Sequence, residues 1–270
     1  GYKNVEVKVN DSMKKGISGK NISIIVDGIE EESVDVDIRN LEIDHHHHDH
    51  DHEHDHHHDH THAHSYEEHD HNHDHTYEHN HHDGHSHDHS HSHNGLTDVI
   101  EIIKSFDLSD SIKENAISIY NLIGEAESKS HNKPMEEVHF HEVGTIDAIY
   151  DIVGNSILMD MIKPEKIIAS PVNLGSGMVK CQHGIMPVPA PATAYILKDI
   201  PVYKSSIKGE LCTPTGAAIL KHFVEEFAEM PVMEIEKIGY GMGKKDFEAP
   251  NCVRGFLGKT QERKEEVIEF

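Results

Sequence analysis

The pattern of hydrophobic and polar positions predicts strands and helices on both sides of one long polar interruption. Near the N-terminal side, residues 2–9 and 21–26 have the composition of strands, and the turn-rich segment DSMKKGISGK joins them. Near the C-terminal side, MEIEKIGYGMG and NCVRGFLG are predicted to be closing strands. Because helical segments alternate with these strands, the pattern indicates an α/β or α+β fold, with a mixed sheet and packed helices.

Two helices are predicted directly after the interruption. The segment LTDVIEIIKSF has the spacing of a short amphipathic helix. The segment LSDSIKENAISIYNLIGEAESKSH is longer, and Ser109 or Asp110 is expected to cap it. Its apolar stripe follows helical spacing on Ile112, Ala116, Ile119 and Ile123.

Three further helices are predicted from capping residues and prolines. Thr145 is expected to cap TIDAIYDIVGNSILMDMI, and Thr213 is expected to cap CTPTGAAILKHFVEEFAEM. The segment PVPAPATAYILKDI is predicted to be a helix that begins at its prolines, because proline is favoured at the first helical position. The intervening KIIAS and VNLGSGMVK have the character of strands with a glycine turn.

The interruption is a His-rich tract, residues 45–93, which holds 25 of the 30 histidines. It also holds 12 Asp or Glu and no Lys or Arg, so its formal charge is −12. Ala63 is its one aliphatic residue, so the tract cannot bury a core and is predicted to be a disordered insertion. Residues 1–44 and 94–260 are then expected to form one α/β domain around it.

The composition of the tract favours metal binding. Neutral imidazoles bind nickel, copper and zinc, and the interleaved carboxylates attract cations. Below about pH 6 the imidazoles become protonated and should release metal. A chain without fixed geometry suits a metal buffer better than a catalyst; a solubilising linker is the alternative.

The net charge of the chain limits its possible partners, and its cysteines indicate the compartment. The other 221 residues carry 24 basic and 37 acidic groups, a formal charge of −13. An acidic chain argues against nucleic acid and against anionic membranes as partners, and no apolar run approaches the roughly 20 residues of a membrane span. Three separated cysteines without a CxxC suit a reducing cytoplasm.

The segment HFHEVGTIDAIYDIVG carries the chemistry outside the tract. If VHFHE is extended, His139 and His141 point to the same side of the chain, and Glu142 points to the other. Imidazoles beside carboxylates suit a borderline metal such as nickel, zinc, iron or manganese. His183, in the glycine- and proline-flanked CQHGIMP, is a further candidate ligand. A solvated strand face is the alternative interpretation of the two strand histidines.

Two carboxylates follow on the predicted helix. Asp147 and Asp151 are four residues apart and therefore share one helix face. Asp147 could simply favour the positive helix N-terminus. Asp151 lies within an apolar run, where a carboxylate is usually paired, bound to metal or turned towards a cleft.

Two glycines and two threonines are candidates for phosphate binding. Gly175 and Gly177, in NLGSGMVK, could let backbone amides approach phosphate, although an ordinary glycine turn explains them as well. Thr213 and Thr215 stand at a helix start, where free N–H groups favour anions, although capping explains Thr213 equally well.

Five long segments resemble one protein family. They are HFHEVGTIDAIYDIVG, ASPVNLGSGMVKCQHGIMPVPAPATAYILKDIPV, GELCTPTGAAILK, IGYGMG and NCVRGFLG. In this order they resemble the nickel-insertion proteins of nickel-pincer cofactor biosynthesis, the LarC family. KKGISGK and the His-rich tract are also similar to that family, so the resemblance covers nearly the whole chain.

The resemblance implies a reaction. It implies nickel insertion into pyridinium-3,5-bisthiocarboxylic acid mononucleotide, with a carbon–nickel bond formed to the ring. It also implies consumption of CTP to CMP and diphosphate with Mn²⁺ or Mg²⁺, hence a CTP-dependent insertase of the lyase class. The finished cofactor serves lactate racemase-type apoenzymes. A cytoplasmic location is expected, and homo-oligomerisation stays open.

The resemblance also has implications for the ends of the chain. Family members usually have a further segment before the position of Gly1 and continue past residue 270 into a second domain associated with nucleotide binding. Residues 261–270 are therefore expected to be a linker towards that domain.

Three sets of residues are candidates for this chemistry. The candidates for positioning nickel are His139, His141, Glu142 and His183. The candidates for a hard-metal site or for removing the ring proton are Asp147 and Asp151. The candidates for contacting the mononucleotide phosphate are Gly175, Gly177, Thr213 and Thr215.

Two other functions are compatible with the residues. One is a nickel store or chaperone that acts through the His-rich tract. The other, weaker, is a metal-dependent phosphohydrolase built on Asp147 and Asp151.

Overall fold

Strands from both flanks of the His-rich tract meet in one mixed sheet. The computed structural model describes residues 4–30, 34–36, 95–140, 143–181 and 183–260. The tract and the expected linker at 261–270 therefore lie outside the described residues.

The described helices and strands alternate along the chain. The helices are α1 (Leu96–Ser105), α2 (Asp110–His131), α3 (Ile146–Ile162), α4 (Pro191–Ile196) and α5 (Pro214–Phe223), with a 3-10 turn at Met135–Glu137. The strands before the tract are β1 (Val5–Lys14), β2 (Ile17–Val26), β3 (Ile29–Glu30) and β4 (Val34–Val36). The strands after it are β5 (Ile168–Ala169), β6 (Val172–Asn173), β7 (Gly175–Ser176), β8 (Met178–Cys181), β9 (Gly184–Pro187), β10 (Val202–Tyr203), β11 (Gly209–Glu210), β12 (Glu226–Phe227), β13 (Met233–Met242) and β14 (Cys252–Thr260).

The largest sheet joins two hairpins in the order β1-β2-β13-β14, and β3 also pairs with β2. Within each hairpin the strands are antiparallel, whereas β13 meets β2 in parallel where Gly241 pairs with Lys20. The sheet is therefore mixed. Together with the packed helices it confirms the α+β form of the predicted fold class.

The β1–β2 hairpin corrects the strand bounds expected from sequence. The turn-rich segment 11–20 is mostly strand, and only Lys15 and Gly16 form the turn, with φ of 50° and 84°. Two residues with positive φ match the twist of a tight hairpin. The polar residues beside the turn pair across the strands, as in the 2.6 Å ion pair of Lys20 with Asp11.

The smaller pairings connect the helical layer. Strands β6 and β10 pair in parallel, as do β5 and β12, whereas β7 and β11 are antiparallel. Strands β4, β8 and β9 form a three-stranded antiparallel sheet. The helix predicted to continue through FAEM instead ends at Phe223, because Glu226 and Phe227 pair with β5.

Helix α2 lies at the centre of the core and packs against the other four helices. The four stripe positions predicted from sequence are all buried, with Ala116, Ile119 and Ile123 fully so. Tyr120 is also fully buried, and its hydroxyl donates a hydrogen bond of 3.0 Å to the Val143 carbonyl. This bond ties α2 to the chain just before α3. Among the described residues, no helix combines the length and apolarity needed to cross a membrane.

We expect Tyr120→Phe to lower the free energy of unfolding by about 1–3 kcal/mol, because the buried Val143 carbonyl loses its donor. Urea denaturation followed by circular dichroism measures this loss. Tyr195→Phe is the control, since Tyr195 is 47% exposed, and its effect should stay within about 0.5 kcal/mol. Equal effects of the two variants would contradict a structural role for the Tyr120 bond.

Candidate functional site

Three histidines from separate parts of the chain line one pocket of about 280 Å³. His131 is the last residue of α2, His139 follows the 3-10 turn, and His183 lies between β8 and β9. The histidine pocket, as we name it, is lined by His131, Lys133, Glu137, Val138, His139 and His183. The fold thus brings together two of the histidines predicted from sequence, His139 and His183.

The chain around His139 has the extended alternation expected for VHFHE. Val138 and Phe140 are buried in the core, whereas His139 between them is exposed. His139 also forms an isolated antiparallel bridge with Gly95, close after the end of the His-rich tract. His141 and Glu142 lie outside the described residues, so their predicted side of the chain stays a prediction.

His183 lies at the turn of the β8–β9 hairpin, as expected for a surface position. The hairpin closes where Cys181 pairs with Gly184, and Gly184 has a φ of 96° that favours glycine. The backbone therefore fixes where the imidazole of His183 leaves the hairpin.

His131 was not among the residues expected from sequence. Its ring lies against that of His183, with centroids 4.8 Å apart and planes inclined by 48°. Its Nε2 is 3.4 Å from Oε2 of Glu127, one helical turn earlier. The i,i+4 spacing of Glu127 and His131 was visible in the sequence, but a histidine in a last helical turn usually indicates only interaction with the helix dipole.

The three imidazoles line the pocket without forming a preassembled metal site. No group of three His, Cys, Asp or Glu in the described part of the chain is arranged to hold a metal ion.

Asp147 and Asp151 lie on α3. The predicted cap is confirmed, since the Ala148 N–H donates to the Thr145 hydroxyl at 3.4 Å. Asp147 stands in the first turn of α3 and Asp151 in the second. The sequence therefore correctly placed the two carboxylates on one helix, and neither of them is among the residues that line the histidine pocket.

Asp151 is exposed to solvent and also has many protein atoms around its carboxyl. Its side chain is exposed, yet burial among neighbouring atoms raises the pKa of its carboxyl, and the Lys244 ammonium lowers it in part. Burial, and to a smaller extent the Asp151 charge, raises the pKa of the Tyr120 phenol. Lys244 itself forms a 2.7 Å ion pair with Glu30.

Of the four candidate phosphate-binding residues, Gly175 lies in the β7–β11 pairing, opposite Glu210. Ser176 of β7 pairs with Gly209 of β11. The chain continues from β11 to Thr213, three residues later. The Gly175 N–H donates to the Asn173 side chain at 3.1 Å, and the Thr213 hydroxyl accepts the Gly216 N–H at 3.2 Å. Both residues thus have structural partners.

The position of Gly175 has a steric explanation. Its φ is 78°, and a Cβ added there would lie 2.0 Å from the Gly209 carbonyl oxygen. Gly177 has a φ of 92° with no comparable obstruction, and Thr215 stands in the first turn of α5. Their contact with phosphate stays a prediction. At about 3.3 Å per residue, strand β8 places about 13 Å between Gly177 and Cys181, where the hairpin that carries His183 closes.

Cys212 is not suited to act as a thiolate. Burial, with the nearby Glu210 charge, raises the pKa of its thiol to about 12. A thiol that stays protonated at neutral pH is neither a strong nucleophile nor a good metal ligand. The buried structural role is therefore the better interpretation of Cys212.

Comparison with known proteins confirms the family that the sequence motifs predicted. The sequence model of the family described as nickel insertion protein matches residues 1–270. The chain belongs to this family. No solved structure matches the chain.

Curated relatives of the family carry a more specific description. Proteins of Clostridium kluyveri, Clostridium acetobutylicum and a Thermotoga species are each described as a pyridinium-3,5-bisthiocarboxylic acid mononucleotide nickel insertion protein. They are 53%, 49% and 46% identical over 64%, 62% and 64% of this chain. The matched regions cover 43%, 40% and 43% of the relatives, so the chain spans less than half of their length.

Gly175→Ala should destabilise the fold because its Cβ would overlap the Gly209 carbonyl. The control is Gly16→Ala, where φ is 84° and no atom lies within 4 Å of the added Cβ. Both variants carry the cost of a left-handed backbone, so the difference isolates the overlap. We expect Gly175→Ala to lose about 1–3 kcal/mol more than the control in urea denaturation. Equal losses would show that the strands can separate without cost.

Asp151→Asn should raise stability at neutral pH. A carboxyl whose pKa is raised by folding costs stability once it is ionised, and this cost disappears as pH falls below its ordinary pKa. The gain from Asp151→Asn should therefore be full at pH 7 and decline on acidification. Thermal unfolding between pH 7 and pH 3 measures it, with Asp160→Asn as the control on the same helix. A gain that is independent of pH would contradict the desolvation of Asp151.

Proposed function

We propose that this chain binds nickel and takes part in its insertion into pyridinium-3,5-bisthiocarboxylic acid mononucleotide. Family membership and the descriptions of the relatives support the reaction. The observation that carries the proposal is the convergence of His139 and His183 on one pocket, since these residues come from distant parts of the chain.

The chemistry of the pocket suits a nickel ion that must be passed on. Imidazole nitrogen is a good ligand for nickel, and an open site leaves positions for the sulfur atoms of the mononucleotide. Lys133, which also lines the pocket, supplies a positive charge for a thiocarboxylate or phosphate group. His141 and Glu142 follow His139 directly and are further candidate ligands in this proposal.

The carboxylates of α3 are proposed to accept the proton that leaves the pyridinium ring. As the carbon–nickel bond forms, the carbon–hydrogen bond breaks and its proton must pass to a base. Asp151 supports this role because its raised pKa brings the carboxylate closer to the strength needed near neutral pH. Asp147, on the same face, is the second candidate and an alternative hard-metal ligand.

The remaining features of the proposal follow from the family resemblance. They are consumption of CTP with Mn²⁺ or Mg²⁺, membership of the lyase class, a cytoplasmic location and delivery of the product to a lactate racemase-type apoenzyme. Gly175, Gly177, Thr213 and Thr215 are the proposed contacts of the mononucleotide phosphate.

Nickel storage through the His-rich tract is the second candidate function. The composition of the tract favours it, since 25 histidines provide capacity without fixed geometry. The bridge of Gly95 with His139 links the chain just after the tract to the histidine pocket.

The test mixes the mononucleotide precursor, Ni²⁺, CTP and Mn²⁺ with the chain and measures the mass of the product. The Clostridium kluyveri relative serves as the reference. We expect His139→Ala combined with His183→Ala to lower nickel incorporation on the order of 100-fold, because both proposed ligands are lost. His222→Ala, outside the pocket, is the matched control and should keep full incorporation.

Deletion of residues 45–93 separates the two candidate functions. If the chain inserts nickel, the deletion variant should bind fewer nickel ions but should incorporate nickel into the mononucleotide unchanged when Ni²⁺ is abundant. Storage predicts that the deletion removes all nickel binding. Unchanged incorporation by the double histidine variant would sink the assignment of the pocket.

A further inference from the structure

We propose that His131 and His183 hold the nickel ion as a pair of imidazoles, with Glu127 as the positioning carboxylate of His131. The inference deepens the proposed function and rests on it for the identity of the metal. It adds two residues, His131 and Glu127, that the sequence motifs did not indicate.

The spacing of the two rings suits a shared ion. An imidazole nitrogen binds a divalent transition metal at about 2.1 Å, so a ring centroid lies about 3.2 Å from the ion. At bond angles between a right angle and the tetrahedral angle, two such centroids are about 4.5–5.2 Å apart. The centroids of His131 and His183 are 4.8 Å apart.

Glu127 has the position of an outer carboxylate. Histidine ligands commonly donate their second ring N–H to a carboxylate, which fixes the ring and raises its basicity. Nε2 of His131 faces Oε2 of Glu127 at 3.4 Å, which assigns Nδ1 of His131 to the metal. The i,i+4 spacing on α2 keeps this contact within one helix.

The electrostatics around His131 favour a cation. His131 ends a helix of 22 residues, and the carbonyl groups of a helix C-terminus carry partial negative charge. Glu127 and Glu137 add two carboxylates beside the pocket, whereas Lys133 opposes them with one ammonium. The balance attracts a divalent ion and leaves Lys133 for an anionic group of the substrate.

A pair of protein ligands also suits transfer of the metal. Closed sites with four protein ligands retain zinc and similar ions for structure, whereas sites with open positions accept exogenous ligands. Two imidazoles leave the other coordination positions of the ion to sulfur donors and to His139, which lines the same pocket.

Histidine footprinting of the full chain tests the pair. Diethylpyrocarbonate modifies accessible imidazoles, and peptide mass spectrometry reports each histidine separately, so the tract does not obscure the pocket. A chelator buffer fixes the free Ni²⁺ concentration whatever the tract binds. We expect His131 and His183 to lose reactivity at the same free Ni²⁺, while His222 keeps its reactivity. Continued reactivity of His131 while His183 becomes protected would overturn the pair, as would continued reactivity of both.

Two charge-neutralising variants test the role of Glu127. Glu127→Gln should raise the free Ni²⁺ needed for half protection of His183 by about 10- to 100-fold, since the ring of His131 loses its carboxylate partner. Glu125→Gln removes the same charge from an exposed position of the same helix. It should change the free Ni²⁺ needed for half protection of His183 by less than about 3-fold. Equal shifts in the two variants would overturn the positioning role.

The footprint and the insertion assay can fail separately. Unchanged His131 reactivity, with nickel incorporation still dependent on His139 and His183, would reject the pair and leave the proposed function in place. Joint protection of His131 and His183 without any incorporation would reject the insertion function and leave a nickel-binding pair.

Discussion

Burial of helix α2 is the constraint on which the candidate site depends. Its apolar face is covered by the other four helices, and its Tyr120 hydroxyl reaches the Val143 carbonyl inside the core. Because a buried carbonyl needs a donor, this bond fixes Val143, just before the start of α3 with its two carboxylates. The same helix delivers His131 from its C-terminal end. One buried element thus sets the positions of two parts of the site.

The His-rich tract and the histidine pocket differ in whether the fold fixes the positions of their imidazoles. The His-rich tract offers many imidazoles, but Ala63 is its one aliphatic residue, so its composition provides no apolar core that could hold them in place. The histidine pocket offers three, each attached to a helix end, an extended segment beside the core or a tight hairpin. The proposed insertion of nickel, which forms a bond between nickel and carbon, needs the second kind of site, because the metal and the ring must meet at a defined distance.

The sequence predicted the helices well because their periodicity is local. The buried stripe of α2 and the threonine caps of α3 and α5 follow from spacing within a few residues. The errors arose where pairing with distant residues decided the outcome. The polar residues of β1 and β2 are strand because they pair across a hairpin, and α5 ends early because β12 pairs with β5. Such pairings leave little trace in hydrophobic periodicity.

The site could be predicted only in part for the same reason. His139 and His183 stand in recognisable motifs, whereas His131 becomes relevant only when the end of α2 meets the β8–β9 hairpin. Asp151 shows the reverse case, since its apolar neighbours in sequence indicated a special environment, and burial does raise its pKa.

The β8–β9 hairpin has a consequence for how the chain can vary. Side chains in paired strands alternate between two faces, so a shift of register by one residue turns each of them to the opposite face. His183 is held between the closing pair of Cys181 and Gly184. Inserting or deleting one residue in β8 or β9 would therefore turn His183 away from His131, even though every histidine is retained. For this part of the protein, the number of residues is as strict a requirement as their identity.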